Sequence, residues 1–144
     1  MTFHDLPTDW ELRSLDDPAL AADVLDLIVS DADRRRGGIA VLFTQDGRLA
    51  QPLFLELGHP ATPVDRGMGM TRLASIAAGL APDIGIVVSV VRESGPFVTD
   101  DDRAWHEEAR AACRAQGVPL LGMFLVTRHV VRPFPLAMAG RVTA

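Results

Sequence analysis

Apolar positions recur along the chain at two periods, and these divide it into helices and strands. Residues 1–16 are polar, hold Pro7 and Trp10, and predict an irregular N-terminal arm. Asp16-Asp17-Pro18 then supplies an acidic N-cap with proline in the first turn, the usual opening of a helix. Leu20, Val24, Leu27 and Ile28 repeat at helical spacing, which predicts one helix to about Asp33, closed by Gly37-Gly38. Ile39–Phe43 reads as a strand, Asp46-Gly47 as a hairpin turn and Leu49–Leu57 as the return strand. Pro52 marks that return strand as an edge or a bulge. Gly58 to Gly67 predicts a loop, and Met68, Met70, Leu73, Ile76, Ala77 and Leu80 predict one amphipathic helix. Ile84–Val91 is the most apolar segment, which predicts a central strand buried on both faces. Thr99–Gln116 follows as a helix stopped by Gly117, then strands Leu120–Thr127 and Val130–Phe134 joined by a tight turn. The order α-β-β-α-β-α-β-β predicts an α/β fold, a central mixed sheet flanked by helices, with residues 17–144 as a single domain.

Composition narrows the partners. At 144 residues with 48% hydrophobic and 23% charged positions, the chain suits one domain with a sizeable core. It contains no Lys, Asn or Tyr, so all 14 basic residues are Arg, a bias expected of a GC-rich bacterial genome. A net charge of −5 weighs against nucleic acid as the main partner. The one basic run, Arg34-Arg35-Arg36, falls at an expected helix end, where it complements the dipole. Cys113, alone and set among helical alanines, predicts a buried thiol and excludes both an internal disulfide and a cysteine-based zinc site. There is no signal-peptide pattern and no apolar run long enough to span a membrane, so the expected location is cytoplasmic with no membrane partner. A mean hydropathy of +0.17 and the apolar stretch Phe134–Ala139 suggest self-association as a homodimer.

One stretch carries a resemblance. Ser89–Asp102 (SVVRESGPFVTDDD) runs from a β-branched strand through Ser94-Gly95-Pro96 into a helix start with three aspartates. With the hairpin before it and Gly117-Val118-Pro119-Leu120-Leu121 after it, residues 38–134 resemble the JAB/MPN metallopeptidase fold, especially its RadC-like branch. In that family the strand–loop–helix bears His-x-His, a Ser-Gly turn and Ser-x-x-Asp; the two histidines and the aspartate hold zinc, and a glutamate from an earlier strand activates water. Thr99-Asp100-Asp101-Asp102 fits Ser-x-x-Asp with Asp102 at the ligand position. The histidines are missing: alignment on Ser94-Gly95 sets Val90 and Arg92 in their places, and alignment on Thr99 sets Ser89 and Val91 there. Valine has no ligating atom and arginine repels a cation. Thr99 with Asp102 also makes a near capping box, and aspartates suit the positive end of a helix dipole.

The resemblance thus implies a pseudoenzyme: a metal-free, cofactor-free, non-catalytic binding or scaffold domain acting by protein–protein contact. Arg92 and Glu93, with Ser94 and Asp102, are the expected binding residues at the end of the central strand, where arginine offers a planar donor set to a carboxylate. The alternative is a hydrolase with rearranged ligands drawn from Glu56, His59, Asp65 and Asp102. A nucleic-acid accessory role would rest on the family likeness alone and is opposed by the charge. The remaining chemistry is thin. His4, His106 and His129 stand at no ligand spacing, Gly67-Met68-Gly69 lacks a phosphate-loop pattern, and Ser30, Ser75, Ser89 and Ser94 have no nucleophile-elbow context.

Overall fold

The computed structural model describes residues 6–56, 62–93, 95 and 97–134. Helices α1 (Pro18–Ile28) and α2 (Asp31–Arg36) precede a hairpin of β1 (Gly38–Gln45) and β2 (Arg48–Glu56). Then come α3 (Pro63–Leu80), β3 (Ile84–Val91), α4 (Asp100–Gln116), β4 (Leu120–Val126) and β5 (Val131–Pro133). The five strands form one mixed sheet in the order β2-β1-β3-β4-β5, parallel between β3 and β4 and antiparallel elsewhere. The α/β class and the flanked mixed sheet stand as the sequence predicts.

Every residue of β3 is buried, and so is β1 up to Thr44. Two apolar layers account for this, because alternate residues of a strand face opposite sides. Ile86, Val88 and Val90 join Met70, Leu73 and Ala77 of α3 and Trp105, Ala109 and Cys113 of α4 on one face. Val87 and Val91 join Leu20, Val24 and Leu25 of α1 on the other. The result is three layers, helix–sheet–helix.

Four local expectations need correction. The first helix is two: Val29 leaves helical geometry, and Ser30 with Asp33 forms a capping box that starts α2. Leu27, expected in the core, is exposed, and Ala21 and Leu25 are buried instead. The stretch 58–67 is not all loop, since Thr62 and Asp65 form a second capping box with Pro63 in the first turn of α3. The arm is not merely irregular: Trp10–Leu12 make a 3-10 turn, and Leu15 is buried with its N–H on the Gly47 carbonyl at 2.7 Å. Asp46-Gly47 turns the hairpin with φ of 53° and 80°, as expected. Pro52 marks an edge, because β2 is an outer strand, but it pairs regularly with Leu42; the bulge lies at Ala50, where the register slips between Phe43 and Thr44 of β1.

The basic run has a use that the sequence did not suggest. Arg35 and Arg36 are exposed, but Arg34 is buried. Its guanidinium donates to the carbonyls of Val29 (3.3 Å), Asp26 (3.2 Å) and Thr127 (3.1 Å) and to the Asp26 carboxylate (2.9 Å). It therefore closes the α1–α2 break and ties it to the end of β4, satisfying carbonyls that a helix end leaves without partners. Arg34→Ala should lower the unfolding free energy by about 3 kcal/mol, since it removes a buried guanidinium and its hydrogen bonds to three carbonyls and one carboxylate. Arg35→Ala should stay within about 0.5 kcal/mol of wild type. Urea denaturation of the two variants checks both values.

Candidate functional site

The carboxyl end of β3, the start of β1 and the ends of β2 and β4 meet at one edge of the sheet, since Gly38 pairs with Glu56 on one side and Val91 on the other while Val91 also pairs with Val126. The N-terminal turns of α3 and α4 are joined by Arg66 and Asp101 at 2.7 Å. Arg92, the residue after β3, turns its guanidinium under the loop that leads to α4. It donates to the carbonyls of Gly95 and Phe97, both at 2.6 Å, and pairs with the Asp102 carboxylate at 2.8 Å. Asp102 in turn accepts the Thr99 N–H at 2.9 Å, and the Thr99 hydroxyl accepts the Asp102 N–H at 3.2 Å, a complete capping box. Gly95 has φ of 92°, a backbone conformation that favours glycine, and a Cβ there would lie 2.8 Å from the arginine Nη1. The loop is wound around one cation held by one buried carboxylate.

Of the residues singled out in the sequence, Arg92 and Asp102 are therefore brought together, with each other as partners. Glu93 is exposed and pairs through its carbonyl with the Arg128 N–H at 3.1 Å; Ser94 lies outside the described residues. The ligands of the alternative site are only partly placed. Glu56 is exposed at the end of β2, Asp65 serves the cap of α3, and His59 lies outside the described residues, as does His4. Among the described residues no group of three or more His, Cys, Asp or Glu is placed to hold a metal ion. Ser89 is buried and donates to the Ala40 carbonyl at 3.2 Å, and His129 sits in the exposed β4–β5 turn. Among the described residues no helix is long and apolar enough to cross a membrane.

Two features went unmarked in the sequence. The first is a cavity of about 330 Å³ between the second half of α4 and the start of β4, lined by His106, Arg110, Cys113, Leu120, Leu121 and Met123 among others. His106 is buried and meets Phe134 edge to face, ring centres 5.3 Å apart. Burial, with the nearby charge of Arg110, holds the imidazole below its ordinary value of 6.5 against an opposing pull from Glu107. Burial pushes the Cys113 thiol up to about 11, so it is no nucleophile near neutral pH.

The second feature is on α3. Met70, Leu73 and Ala77 face the core, but Met68, Ile76 and Leu80, read from periodicity as part of the same face, do not. With Val64 they make four large apolar side chains, 46% to 68% exposed, that wind along the outside of α3 in four-residue steps, with Arg72 between Met68 and Ile76. Gly67, Thr71 and Ser75 run beside them, and with Gln116 of α4 they line an open groove of about 680 Å³. The signal in the sequence was the apolar spacing 64, 68, 76, 80, four residues or a multiple of four apart.

No protein-family model, curated protein or solved structure matches this chain significantly.

Arg92→Ala and Asp102→Ala should each destabilise the fold, with a coupling of about 1–3 kcal/mol in a double-mutant cycle read by denaturant titration. Thr99→Ala should remove about 1 kcal/mol through the cap alone. The pH dependence follows from His106: the unfolded chain takes up a proton near 6.5 and the folded one resists it, so stability is full above that pH and declines as pH falls below it. Replacing His106 with phenylalanine should flatten that part of the melting-temperature profile, and NMR titration of wild type should put the ring midpoint under 6.5.

Proposed function

We propose that the chain is a non-catalytic binding or scaffold domain of JAB/MPN-like architecture that works without metal, through protein–protein contact, and that a second copy of itself is among its partners. The observation that carries this is the exposed apolar row of Val64, Met68, Ile76 and Leu80 on α3. Soluble chains rarely leave several large apolar side chains exposed near one another unless something covers them, and Val64, Met68 and Ile76 share one open groove. Small residues beside the row let another backbone approach closely, as ridge-and-groove helix packing requires.

The strand end supports the non-catalytic half of the proposal. On the alignment through Ser94-Gly95, Arg92 takes the place of a histidine ligand and Asp102 that of the aspartate, and the two form an ion pair at 2.8 Å. A guanidinium occupies the carboxylate that a metal would need, and it cannot give up its charge near neutral pH. With its donors on Asp102, Gly95 and Phe97, Arg92 serves the loop first, so the apolar face of α3 is the stronger candidate for holding a partner.

Met68→Glu and Ile76→Glu should abolish self-association in sedimentation equilibrium at high micromolar concentration while leaving the melting temperature within a few degrees, as exposed substitutions do. A wild-type chain that is strictly monomeric there, with no difference from the variants, would remove the self-partner. Protein purified without chelator should carry substoichiometric zinc by elemental analysis; an equimolar content lost on Asp102→Ala would restore the hydrolase alternative.

A further inference from the structure

The cavity between α4 and β4 owes its floor to a bulge. Leu120 pairs with Ile86 of β3 and Gly122 with Val87, so Leu121 is an extra residue in β4. Leu120 and Met123 pack in the layer beside α4, while Leu121 packs in the layer beside α1. A Cβ on Gly122 would meet the Phe124 ring of that same α1 layer at 2.8 Å. Two successive positions therefore send no side chain toward α4. The space left between Leu120 and Met123 opens into the cavity of about 330 Å³, near the lower bound of the roughly 300–1,000 Å³ usual for small-ligand pockets.

His106, Arg110 and Arg114 stand four residues apart on α4 and line this space in one row. Glu108 lies beside Gly67 of α3, so the row is on the flank of α4 turned away from α3. In a chain of net charge −5, the described lining holds two arginines and no Asp or Glu. Arg110 donates to the Glu107 carboxylate at 3.1 Å, and a guanidinium carries five N–H donors, so this pair does not exhaust it. Val118, Leu120 and Met123 supply an apolar floor. We infer that the cavity binds a monocarboxylic acid with an aliphatic tail of medium length, its carboxylate on Arg110 and Arg114 and its tail on Val118, Leu120 and Met123. Planar guanidinium donors match a carboxylate, and an apolar floor strengthens the pairing by keeping water away. Phosphate would meet the arginines but leave the floor wet. A neutral alcohol would cover the floor and leave the arginines without an anion. Burial and the charge of Arg110 disfavour a proton on His106, so it adds a hydrogen-bonding group without a third cation. The site does not rest on the apolar side chains of α3 or on the protein–protein reading.

Sodium octanoate, octan-1-ol and inorganic phosphate are titrated separately into the full chain and followed by amide NMR shifts. Octanoate should bind about ten-fold more tightly than either of the others. Arg114→Gln, at an exposed position that leaves folding intact, should weaken octanoate about ten-fold, as loss of a charge-assisted hydrogen bond does. Arg110→Gln should do the same, and Met68→Glu should bind like wild type. Cys113 lines the cavity and is the only cysteine, so saturating octanoate should also slow its alkylation at about pH 9 by about ten-fold. Equal affinity for octanol or for phosphate would overturn the proposal, leaving an apolar gap in the first case and a surface anion site in the second. Binding lost in Met68→Glu but kept in both arginine variants would move it to α3 and overturn the proposal as well. So would a titration in which octanoate shifts no amide around the cavity and Cys113 stays as reactive as before.

Discussion

Burial of β3 on both faces is the constraint on which the other elements depend. A strand of eight buried residues, all apolar but Ser89, cannot leave one side in water, so helices are needed above and below the sheet. That need places α1 on one face and α3 with α4 on the other. It also fixes where polar chemistry can lie. Inside the sheet the polar side chains present, Thr44 and Ser89, each bond a neighbouring strand's carbonyl, so chemistry is pushed to the strand ends and the outer helix faces.

Two arginines secure the places where the chain leaves regular structure. Arg34 binds the α1–α2 break to the end of β4, and Arg92 binds the β3–α4 loop to the first turn of α4. In both cases a guanidinium gathers backbone carbonyls and one carboxylate, a task for which its planar set of donors is suited and an ammonium is not. On sequence grounds Arg92 looks like a strand-end cation for binding something external, and Arg34 like one of three charges that complement a helix end. The structure assigns both to the chain itself.

Much of the architecture was legible because it rests on local patterns. The strongly apolar run Ile84–Val91, the Asp46-Gly47 turn and the Gly117 stop each depend on residues near one another in sequence. The capping box is equally local: the spacing of Thr99 and Asp102 recurs at Ser30 with Asp33 and at Thr62 with Asp65, and it marks the starts of α2 and α3. The burial of Arg34 was not legible, since Thr127 lies 93 positions away. Nor could periodicity separate Met70 from Met68, because a helix that is apolar on two sides gives a weak one-sided pattern. At the candidate site the Thr99–Asp102 cap was read correctly. The partnership of Arg92 with Asp102 spans a loop whose path depends on Gly95, and local spacing does not set that path.

Both rims of the sheet carry proline, Pro52 in β2 and Pro133 in β5. A β-rich chain held at high concentration is exposed to runaway stacking into fibrils, because each open rim can template the next molecule. A rim that lacks amide hydrogens at intervals is a poor template, and the bulge in β2 bends that rim further from flatness. Partial unfolding that peels away α3 or α4 would uncover the apolar face of the sheet, yet the outermost strands would still resist growth. The protein can thus carry a sticky helix on its surface without its sheet becoming a seed for aggregation.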